Sequence, residues 1–191
     1  SECLPCVVGT YQDESGKQDC KPCPGGKYSD TEGLSLCLNC QVGTYSNDTG
    51  SHSCIECAIG YYQDEQGKTA CKPCPSGRYG DGTGLAACQP CNVGTFMKSA
   101  GSNHCMNCSK GEYQDETGGV ECKKCPAGYF TDYTGSVQCL KCPPGTYGNE
   151  TGLESCLPCS AGEFQDGLGE LSCKKCPKGT FQDEMGQANT H

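Results

Sequence analysis

The apolar and polar positions of the chain repeat every 17 residues, with no insertion or deletion across eleven repeats. Within the first repeat, the segment Gly9-Thr10-Tyr11-Gln12 alternates as a short half-buried strand does. Asp13-Glu14-Ser15-Gly16 carries turn residues, and Lys17-Gln18-Asp19 can return as a second strand. The pattern therefore predicts one short β-hairpin for each repeat and almost no helix.

Three kinds of residue hold fixed places when the first cysteine of a repeat is counted as position 1. Positions 1 and 4 are cysteine, positions 7 and 14 are glycine, and position 9 is tyrosine or phenylalanine in all eleven repeats. Glycine at position 14 suits a turn with positive φ, and glycine at position 7 lets the chain pass close to the cysteine pair. We expect the ring at position 9 to be the one large side chain that each repeat buries. The repeats begin at residues 3, 20, 37, 54, 71, 88, 105, 122, 139, 156 and 173.

A second period of 51 residues, or three repeats, overlies the first. The motif Tyr-Gln-Asp-Glu begins at Tyr11, Tyr62 and Tyr113, and a lysine follows the first cysteine at Lys21, Lys72, Lys123 and Lys174. If this period has a physical cause, every third repeat presents the same face. The lysines would then form one stripe and the acidic turns a separate stripe of opposite sign. Two such stripes would let copies of the chain associate side by side.

The composition is incompatible with a conventional hydrophobic core. Leu, Ile, Val and Phe together number 22 in 191 residues, too few to fill the interior of a domain of this length. The 22 cysteines instead indicate a small disulfide-rich fold in which cross-links replace the core. Disulfides at this density persist in an oxidising compartment, so we expect an extracellular or cell-surface location.

The charge and hydropathy of the chain exclude several classes of partner. The net charge of −9 is spread along the repeats, which argues against nucleic acid or an anionic membrane. No apolar run approaches the ~20 residues of a membrane span, so we expect no direct membrane insertion in this segment. No signal peptide is recognisable, as expected for an excised segment of a longer ectodomain. Residues 1–191 are therefore interpreted as one continuous array.

The cysteine spacing allows three regular disulfide schemes. Closing each CxxC pair on itself gives strained rings that are usually redox-active. An interlaced pairing of first with third and second with fourth consumes repeats in twos, whereas the observed periods are one and three repeats. Joining the second cysteine of one repeat to the first of the next treats all repeats alike, and each bond contributes about 3 kcal/mol for a loop of ~15 residues.

We favour this third scheme, and the interlaced one stays open. It leaves Cys3 and Cys176 to pair with repeats beyond this segment. The favoured pairs are Cys6–Cys20, Cys23–Cys37, Cys40–Cys54, Cys57–Cys71, Cys74–Cys88, Cys91–Cys105, Cys108–Cys122, Cys125–Cys139, Cys142–Cys156 and Cys159–Cys173.

Metal sites and catalytic groups receive less support. Cys3, Cys6, Cys20 and Cys23 have a zinc-ligand spacing, but four ligands per ion leave two of the 22 cysteines over. Asp13-Glu14 and the equivalent turns supply fewer carboxylates than the roughly six to eight oxygens of a calcium site. The three histidines, His52, His104 and His191, have no acidic or nucleophilic partner at a repeated position. We therefore expect no metal, no cofactor and no enzymatic activity.

Three sequons for N-linked glycosylation are present. Asn47 and Asn149 both occupy position 11, on a predicted exposed turn, in repeats that lie 102 residues apart. Asn107 precedes Cys108, which is expected to form a disulfide, so its sequon is the weaker one. Asn47 and Asn149, with Asn107 as a third candidate, are the predicted carriers of N-linked glycans.

The repeat motif C-x2-C-x2-G-x-[YF]-x-[DN]-x2-G-x3-C-x2-C resembles the ephrin-receptor-like cysteine-rich repeat. It is more distantly similar to the first half of tumour-necrosis-factor-receptor modules, as in Gly26-Lys27-Tyr28-Ser29-Asp30. The resemblance covers essentially the whole chain. It implies an extracellular spacer or interaction rod, and it transfers no ligand.

The leading functional hypothesis is an elongated, solenoid-like rod of disulfide-stapled hairpins that serves as a stalk, an adhesin or a filament subunit. Its expected partners are copies of itself or other extracellular proteins. The alternative is the ligand-binding ectodomain of a cell-surface receptor, which predicts one repeat unlike the rest. The sixth repeat is the clearest departure, because residues 92–100 lack an acidic residue and are expected to expose Met97 and Lys98.

Overall fold

The computed structural model describes residues 2–189, and these form ten short antiparallel β-hairpins in series without any helix. Each strand is two residues long. The first strand occupies positions 8 and 9 of one repeat, and the second occupies positions 2 and 3 of the next. The expected disulfide-rich array of short hairpins is therefore confirmed, and each hairpin spans a repeat boundary.

The strands follow one another in chain order, and each odd-numbered strand pairs with the even-numbered strand after it. Their bounds are β1 Thr10–Tyr11, β2 Lys21–Pro22, β3 Lys27–Tyr28, β4 Leu38–Asn39, β5 Thr44–Tyr45, β6 Ile55–Glu56, β7 Tyr61–Tyr62, β8 Lys72–Pro73, β9 Arg78–Tyr79, β10 Gln89–Pro90, β11 Thr95–Phe96, β12 Met106–Asn107, β13 Glu112–Tyr113, β14 Lys123–Lys124, β15 Tyr129–Phe130, β16 Leu140–Lys141, β17 Thr146–Tyr147, β18 Leu157–Pro158, β19 Glu163–Phe164 and β20 Lys174–Lys175.

The return strand lies further along the chain than the sequence predicts. Tyr11 pairs with Lys21 and Thr10 with Pro22, so the expectation of a return strand at residues 17–19 is wrong. The reason is that the backbone of the segment after the first strand bonds to another repeat instead of pairing with residues 17–19. The N–H of Gln12 donates to the carbonyl of Leu34 at 3.2 Å, in the following repeat.

Ten disulfides join the repeats in sequence. Each links the second cysteine of one repeat to the first cysteine of the next, 14 residues later, from Cys6–Cys20 to Cys159–Cys173. This is the scheme that treats all repeats alike, and the interlaced scheme is absent from residues 2–189. Cys3 and Cys176 are free thiols, the first exposed and the second half-buried.

The buried side chains are small or polar rather than aromatic. The second cysteine is completely buried in the second to the tenth repeats. The rings at position 9 are only half-buried, and Phe181 is exposed, so the expectation that this ring is the buried residue is wrong. Because side chains alternate across a strand, position 10 points inward instead. Its buried residues are Ser29, Ser46, Gln63, Gly80, Met97, Gln114, Thr131, Gly148, Gln165 and Gln182.

The chain divides into two compact units, one comprising residues 1–89 and 99–104, the other residues 90–98 and 105–191. Inside each unit the same backbone hydrogen bonds join every repeat to the next. In the first unit, the N–H of Gly43 donates to the carbonyl of Gln63 at 2.7 Å, and that of Gly67 to the carbonyl of Cys40 at 2.8 Å. In the second, the N–H of Gly111 donates to the carbonyl of Thr131 at 2.9 Å. These bonds satisfy polar groups that a two-residue strand leaves unpaired.

The glycine at position 7 also touches the repeat after the next. A Cβ atom built on Gly26 would lie 2.0 Å from the carbonyl oxygen of Gly67, and the φ of Gly26 is 81°. Any side chain at this position would therefore push two repeats apart. The same close approach joins Gly9 to Gly50, Gly43 to Gly84 and Gly60 to Gly101 in the first unit, and Gly94 to Gly135, Gly111 to Gly152, Gly128 to Gly169 and Gly145 to Gly186 in the second.

Substitution of Gly26 by alanine should separate this steric requirement from the cost of a positive φ. Gly33 lies in the same repeat with a φ of 75°, but a Cβ there would meet only Pro5 at 3.5 Å. Both variants lose about 1–2 kcal/mol because alanine disfavours the left-handed region. We expect Gly26→Ala to lose at least ~3 kcal/mol, since a backbone carbonyl must also move. Guanidinium unfolding with the disulfides intact measures both values, and equal losses would contradict the interpretation.

Candidate functional site

A glutamine at position 10 links the two sides of the turn in five repeats, and it is buried in four of them, Gln12 being half-buried. Gln63 is 1% exposed, its Oε1 accepts the N–H of Glu65 at 3.1 Å, and its Nε2 donates to the carbonyl of Ala70 at 2.7 Å. Both ends of the amide are thus satisfied within a single repeat, so the side chain can be buried without an unmet hydrogen bond. The equivalent residues Gln12, Gln114, Gln165 and Gln182 make the same two contacts.

Other repeats fill this interior position with different side chains. The hydroxyl of Ser46 donates to the carbonyl of Asp48 at 3.3 Å and lies 2.6 Å from the hydroxyl of Ser51. Where position 10 is Gly80, the space is taken by Leu85, whose Cδ1 would lie 2.9 Å from an added Cβ. The side chain that fills the interior at position 10 therefore differs from repeat to repeat.

In the sixth repeat, the side chain that occupies the interior at position 10 is apolar. Met97 is 7% exposed, so the expectation that this repeat presents Met97 to solvent is wrong. Strand alternation turns its side chain inward, as it does for the glutamines. Lys98, the next residue, is exposed as expected. The departure of this repeat from the others is therefore mostly an internal substitution.

The lysines of the 51-residue period pair with the acidic turns. Lys72 Nζ lies 2.7 Å from Asp64 Oδ1 and 3.1 Å from Glu65 Oε1. The hairpin register places position 2 of one repeat beside the turn of the preceding repeat, so each lysine neutralises its own acidic turn. The expectation of separate stripes of opposite sign is therefore wrong. The same pairing joins Lys21 to Asp13, Lys123 to Asp115 and Lys174 to Asp166.

These ion pairs shift the titration of the groups that form them. Hydrogen bonding to Lys72 lowers the pKa of Asp64. The pKa of Glu65 is lowered first by Lys68 and then by Lys72. In return, Asp64 and then Glu65 raise the pKa of Lys72. All of these groups are exposed, so salt screens the interaction and its contribution stays local.

Each hairpin presents a cross-strand pair formed by the ring at position 9 and the residue at position 2 of the next repeat, which we call the outward pair. Side chains directly opposite each other in an antiparallel ladder lie on one face. The partner is lysine in Tyr11–Lys21, Tyr62–Lys72, Tyr113–Lys123 and Phe164–Lys174. It is apolar and exposed in Tyr28–Leu38, Tyr45–Ile55, Phe96–Met106, Phe130–Leu140 and Tyr147–Leu157.

Shallow grooves lie beside the outward pairs of the first unit. The groove at Tyr28 has a volume of about 320 Å³ and is lined by polar residues that include Asp30 and His52. The groove at Tyr45, one repeat later, has about 260 Å³ and is lined by Ala58 and Ala70 among others. The scaffold of the groove thus recurs, whereas the chemistry of its lining changes from repeat to repeat.

The three sequons occupy two different environments. Asn47 and Asn149 are exposed, and each immediately precedes the turn of its repeat. Asn107 lies in β12, and the central residue of its sequon, Cys108, is completely buried in a disulfide with Cys122. All three asparagines are exposed, but only Asn107 lies in a strand beside a buried disulfide, and glycosylation of all three stays a prediction.

The described residues contain neither a cluster of metal-binding side chains nor a membrane-spanning helix. Within residues 2–189, no three His, Cys, Asp or Glu side chains lie together so as to hold a metal ion. Cys6, Cys20 and Cys23, which share a zinc-ligand spacing, are all engaged in disulfides. The described part of the chain has no helix long and apolar enough to cross a membrane. His191 lies outside the described residues.

The family model of tyrosine-protein kinase ephrin type A/B receptor-like repeats matches the chain from residue 1 to residue 190. Its overlapping matches cover residues 1–33, 26–58, 43–84, 77–120, 98–142, 111–152, 134–169 and 145–190. The chain belongs to the ephrin-receptor-like repeat family. Membership in this family, together with ten disulfides, indicates an extracellular location. No protein with a curated description matches the ephrin-receptor-like array significantly.

Two features of the ephrin-receptor-like repeat were missed in the sequence, although signals for both are present. A glutamine follows the ring in each copy of the Tyr-Gln-Asp-Glu motif, which could have identified the buried amide. The aspartate and lysine of each ion pair are always eight residues apart, as in Asp64 and Lys72. That constant separation could have indicated a direct contact within one hairpin.

Replacing Gln63 by alanine should open its turn. The N–H of Glu65 and the carbonyl of Ala70 both lose their partner, which we expect to cost about 1–3 kcal/mol of unfolding free energy. Amide hydrogen exchange at Glu65 should become at least ~5-fold faster than in the parent chain. Gln18→Ala is the matched control, because Gln18 is exposed. Identical exchange in the two variants would show that the buried amide does not hold the turn.

The ion pair at Lys72 should be visible in a carboxyl titration. Because the pKa of Asp64 is lowered in the folded state, the pair stabilises the fold above the ordinary carboxyl pKa, and this contribution is lost as the pH falls through the lowered value. Lys72→Gln should return the pKa of Asp64 toward its ordinary value, as followed by carbon-detected NMR. Asp115, which pairs with Lys123, should not change. An unchanged titration of Asp64 would contradict the pairing.

Proposed function

We propose that this ephrin-receptor-like array is an extracellular structural segment, a rod or stalk of consecutive repeats that holds other parts of its protein at a distance. The observation that carries the proposal is the recurrence of one set of contacts from repeat to repeat within each unit. In repeat proteins, contacts limited to near neighbours favour extended architectures. Disulfide-rich repeats of this kind are typically non-enzymatic, and we propose a non-enzymatic role.

Three kinds of connection support a mechanical role. Each repeat shares a disulfide with the next, worth about 3 kcal/mol for a loop of this length. Backbone hydrogen bonds join the same two repeats, as between Gly43 and Gln63. The glycine contact, as between Gly26 and Gly67, extends to the repeat after the next. Bending at one junction therefore disturbs a second junction as well, which should make the array stiff.

We propose that the outward pairs are the surfaces on which the array meets partners, either copies of itself or other extracellular proteins. Tyr28–Leu38 and Phe130–Leu140 expose an aliphatic side chain beside a ring, and such apolar surface favours contact with another protein. The lysine-bearing pairs are neutralised by their acidic turns and serve solubility. The net charge of −9 disfavours nucleic acid as a partner.

A ligand-binding receptor ectodomain is the second candidate function. The observation in its favour is that the grooves beside Tyr28 and Tyr45 occupy the same place in successive repeats but differ in chemistry. Asp30 and His52 give the first groove hydrogen-bonding and charged groups, which could select a polar ligand. A receptor of this kind would bind its ligand at one or two repeats, whereas a structural segment would use all of them.

Small-angle X-ray scattering of the chain and of a variant lacking residues 71–121 should test the rod. This deletion removes one 51-residue period and keeps the register of cysteines. For a rod, the maximum dimension should fall in proportion to length, by about a quarter. For a compact globule, whose size grows as about the 0.38 power of length, the fall would be only about a tenth. A fall of about a tenth, with a radius of gyration near ~16 Å for the full chain, would refute the structural proposal.

A further inference from the structure

The sequons at Asn47 and Asn149 share a feature that the sequon at Asn107 lacks. Asn47 follows Tyr45 by two residues, and the residue between them, Ser46, is 2% exposed. Alternation of side chains along an extended segment therefore places Tyr45 and Asn47 on the same, outer side. The second unit repeats this arrangement at Tyr147, Gly148 and Asn149, with the middle residue again buried.

The ion pairs of other repeats show how far a side chain at position 11 reaches. Asp64 occupies position 11, and its Oδ1 lies 2.7 Å from Nζ of Lys72, at position 2 of the next repeat. In the repeat of Asn47, the residue at this second place is Ile55, which is 50% exposed. The side chain of Asn47 therefore projects on the same side of the hairpin as the outward pair Tyr45–Ile55.

The same holds for the second sequon. Leu157 pairs with Tyr147 across the hairpin and is 39% exposed, and it stands at position 2 of the repeat that follows Asn149. In both sequon repeats, the residue eight places after the asparagine belongs to an apolar outward pair. In the Tyr-Gln-Asp-Glu repeats, the residue eight places after the aspartate is lysine.

The chemistry of a first glycan residue suits such a surface. N-acetylglucosamine has a face of C–H groups and an acetyl methyl that can pack on an aromatic ring and an aliphatic side chain. The hydroxyl of Ser46 holds the segment by its contacts to Asp48 and Ser51, so Asn47 is presented in a fixed place. Tyr45 is half-buried and Ile55 is 50% exposed, so both side chains offer surface that a sugar ring can cover.

We propose that the first sugar of an N-linked glycan on Asn47 packs over Tyr45 and Ile55, and that a glycan on Asn149 packs over Tyr147 and Leu157. These two outward pairs are then covered, and the outward pairs without a sequon are left as the protein-facing surface. In the modification itself, Asn47 Nδ2 loses a proton and forms a bond to C1 of the sugar. The bond between C1 and the diphosphate of the lipid donor breaks, and the lipid diphosphate leaves. This proposal requires that the chain pass through the secretory pathway, where N-linked glycans are attached. It does not depend on the array being a rod.

Asn107 provides a control within the chain. It pairs with Thr95 across its hairpin, and the residue two places before it is Cys105, so no ring lies beside it in the ladder. A sugar attached to Asn107 would therefore have no aromatic face in the place that Tyr45 offers to Asn47.

The test uses the full chain secreted from a eukaryotic cell line, with its glycans trimmed to a single N-acetylglucosamine. In NMR spectra, the acetyl methyl of the sugar on Asn47 should be shifted upfield by the ring of Tyr45 and should show nuclear Overhauser contacts to it. Tyr45→Leu should return this methyl to the position of a free sugar. The sugar on Asn149 should keep its shift in the same variant, which shows that the array is still folded.

A second measurement gives the effect on the turn. Amide exchange of Thr49 should be roughly threefold slower with the sugar than in Asn47→Gln, about the size of one aromatic contact. In the Tyr45→Leu background the sugar should make no difference. The proposal is overturned if Asn47 and Asn149 carry no sugar, or if the methyl shift and the exchange are the same with and without Tyr45. Neither result bears on the length measured by scattering.

Discussion

The close approach of two glycines, at position 7 of one repeat and position 14 of the repeat after the next, constrains everything else in this fold. Gly26 and Gly67 illustrate it, because the carbonyl oxygen of the second occupies the place where the first would carry a Cβ. The two glycines are 41 residues apart, so their contact holds three consecutive repeats at a fixed spacing. An inserted residue would shift every later contact, which explains physically why all eleven repeats have the same length.

This constraint lets the protein fold without a hydrophobic core. Backbone groups that a two-residue strand cannot satisfy are paired with neighbouring repeats, and the interior is filled by disulfides and by one side chain at position 10. Gln63 can be buried there because both ends of its amide bond to its own turn, so burial leaves no polar atom unmet. Met97 can occupy the same place because it makes no such demand. The interior therefore tolerates variation that the glycine positions do not.

The repeats differ most in the side chains on their outer surface. The 51-residue period appears as a buried glutamine together with a lysine that neutralises the acidic turn, as at Gln63 and Lys72. Five of the intervening hairpins carry an apolar outward pair, as at Tyr45 and Ile55, and one carries a polar partner, Gln89, opposite Tyr79. A regular scaffold thus carries charged, apolar and sequon-bearing patches in a set order. That order is the property that either a spacer or a receptor would use to meet its partners.

The sequence by itself determined the repeat, its hairpins and the preferred disulfide pairing, because cysteine, glycine and aromatic positions recur at constant separations and each hairpin is built from residues close in the chain. Only the tertiary structure decided what those residues contact. The ring of Tyr62 faces outward while Gln63 is buried, and Lys72 meets Asp64 instead of forming a separate stripe. These outcomes depend on the return strand at positions 2 and 3 and on bonds to the following repeats. The alternation pattern shows that Tyr62 and Gln63 lie on opposite sides of the chain, but not which side faces the neighbouring repeats, because bonds such as that of Gln12 to Leu34 join residues in different repeats.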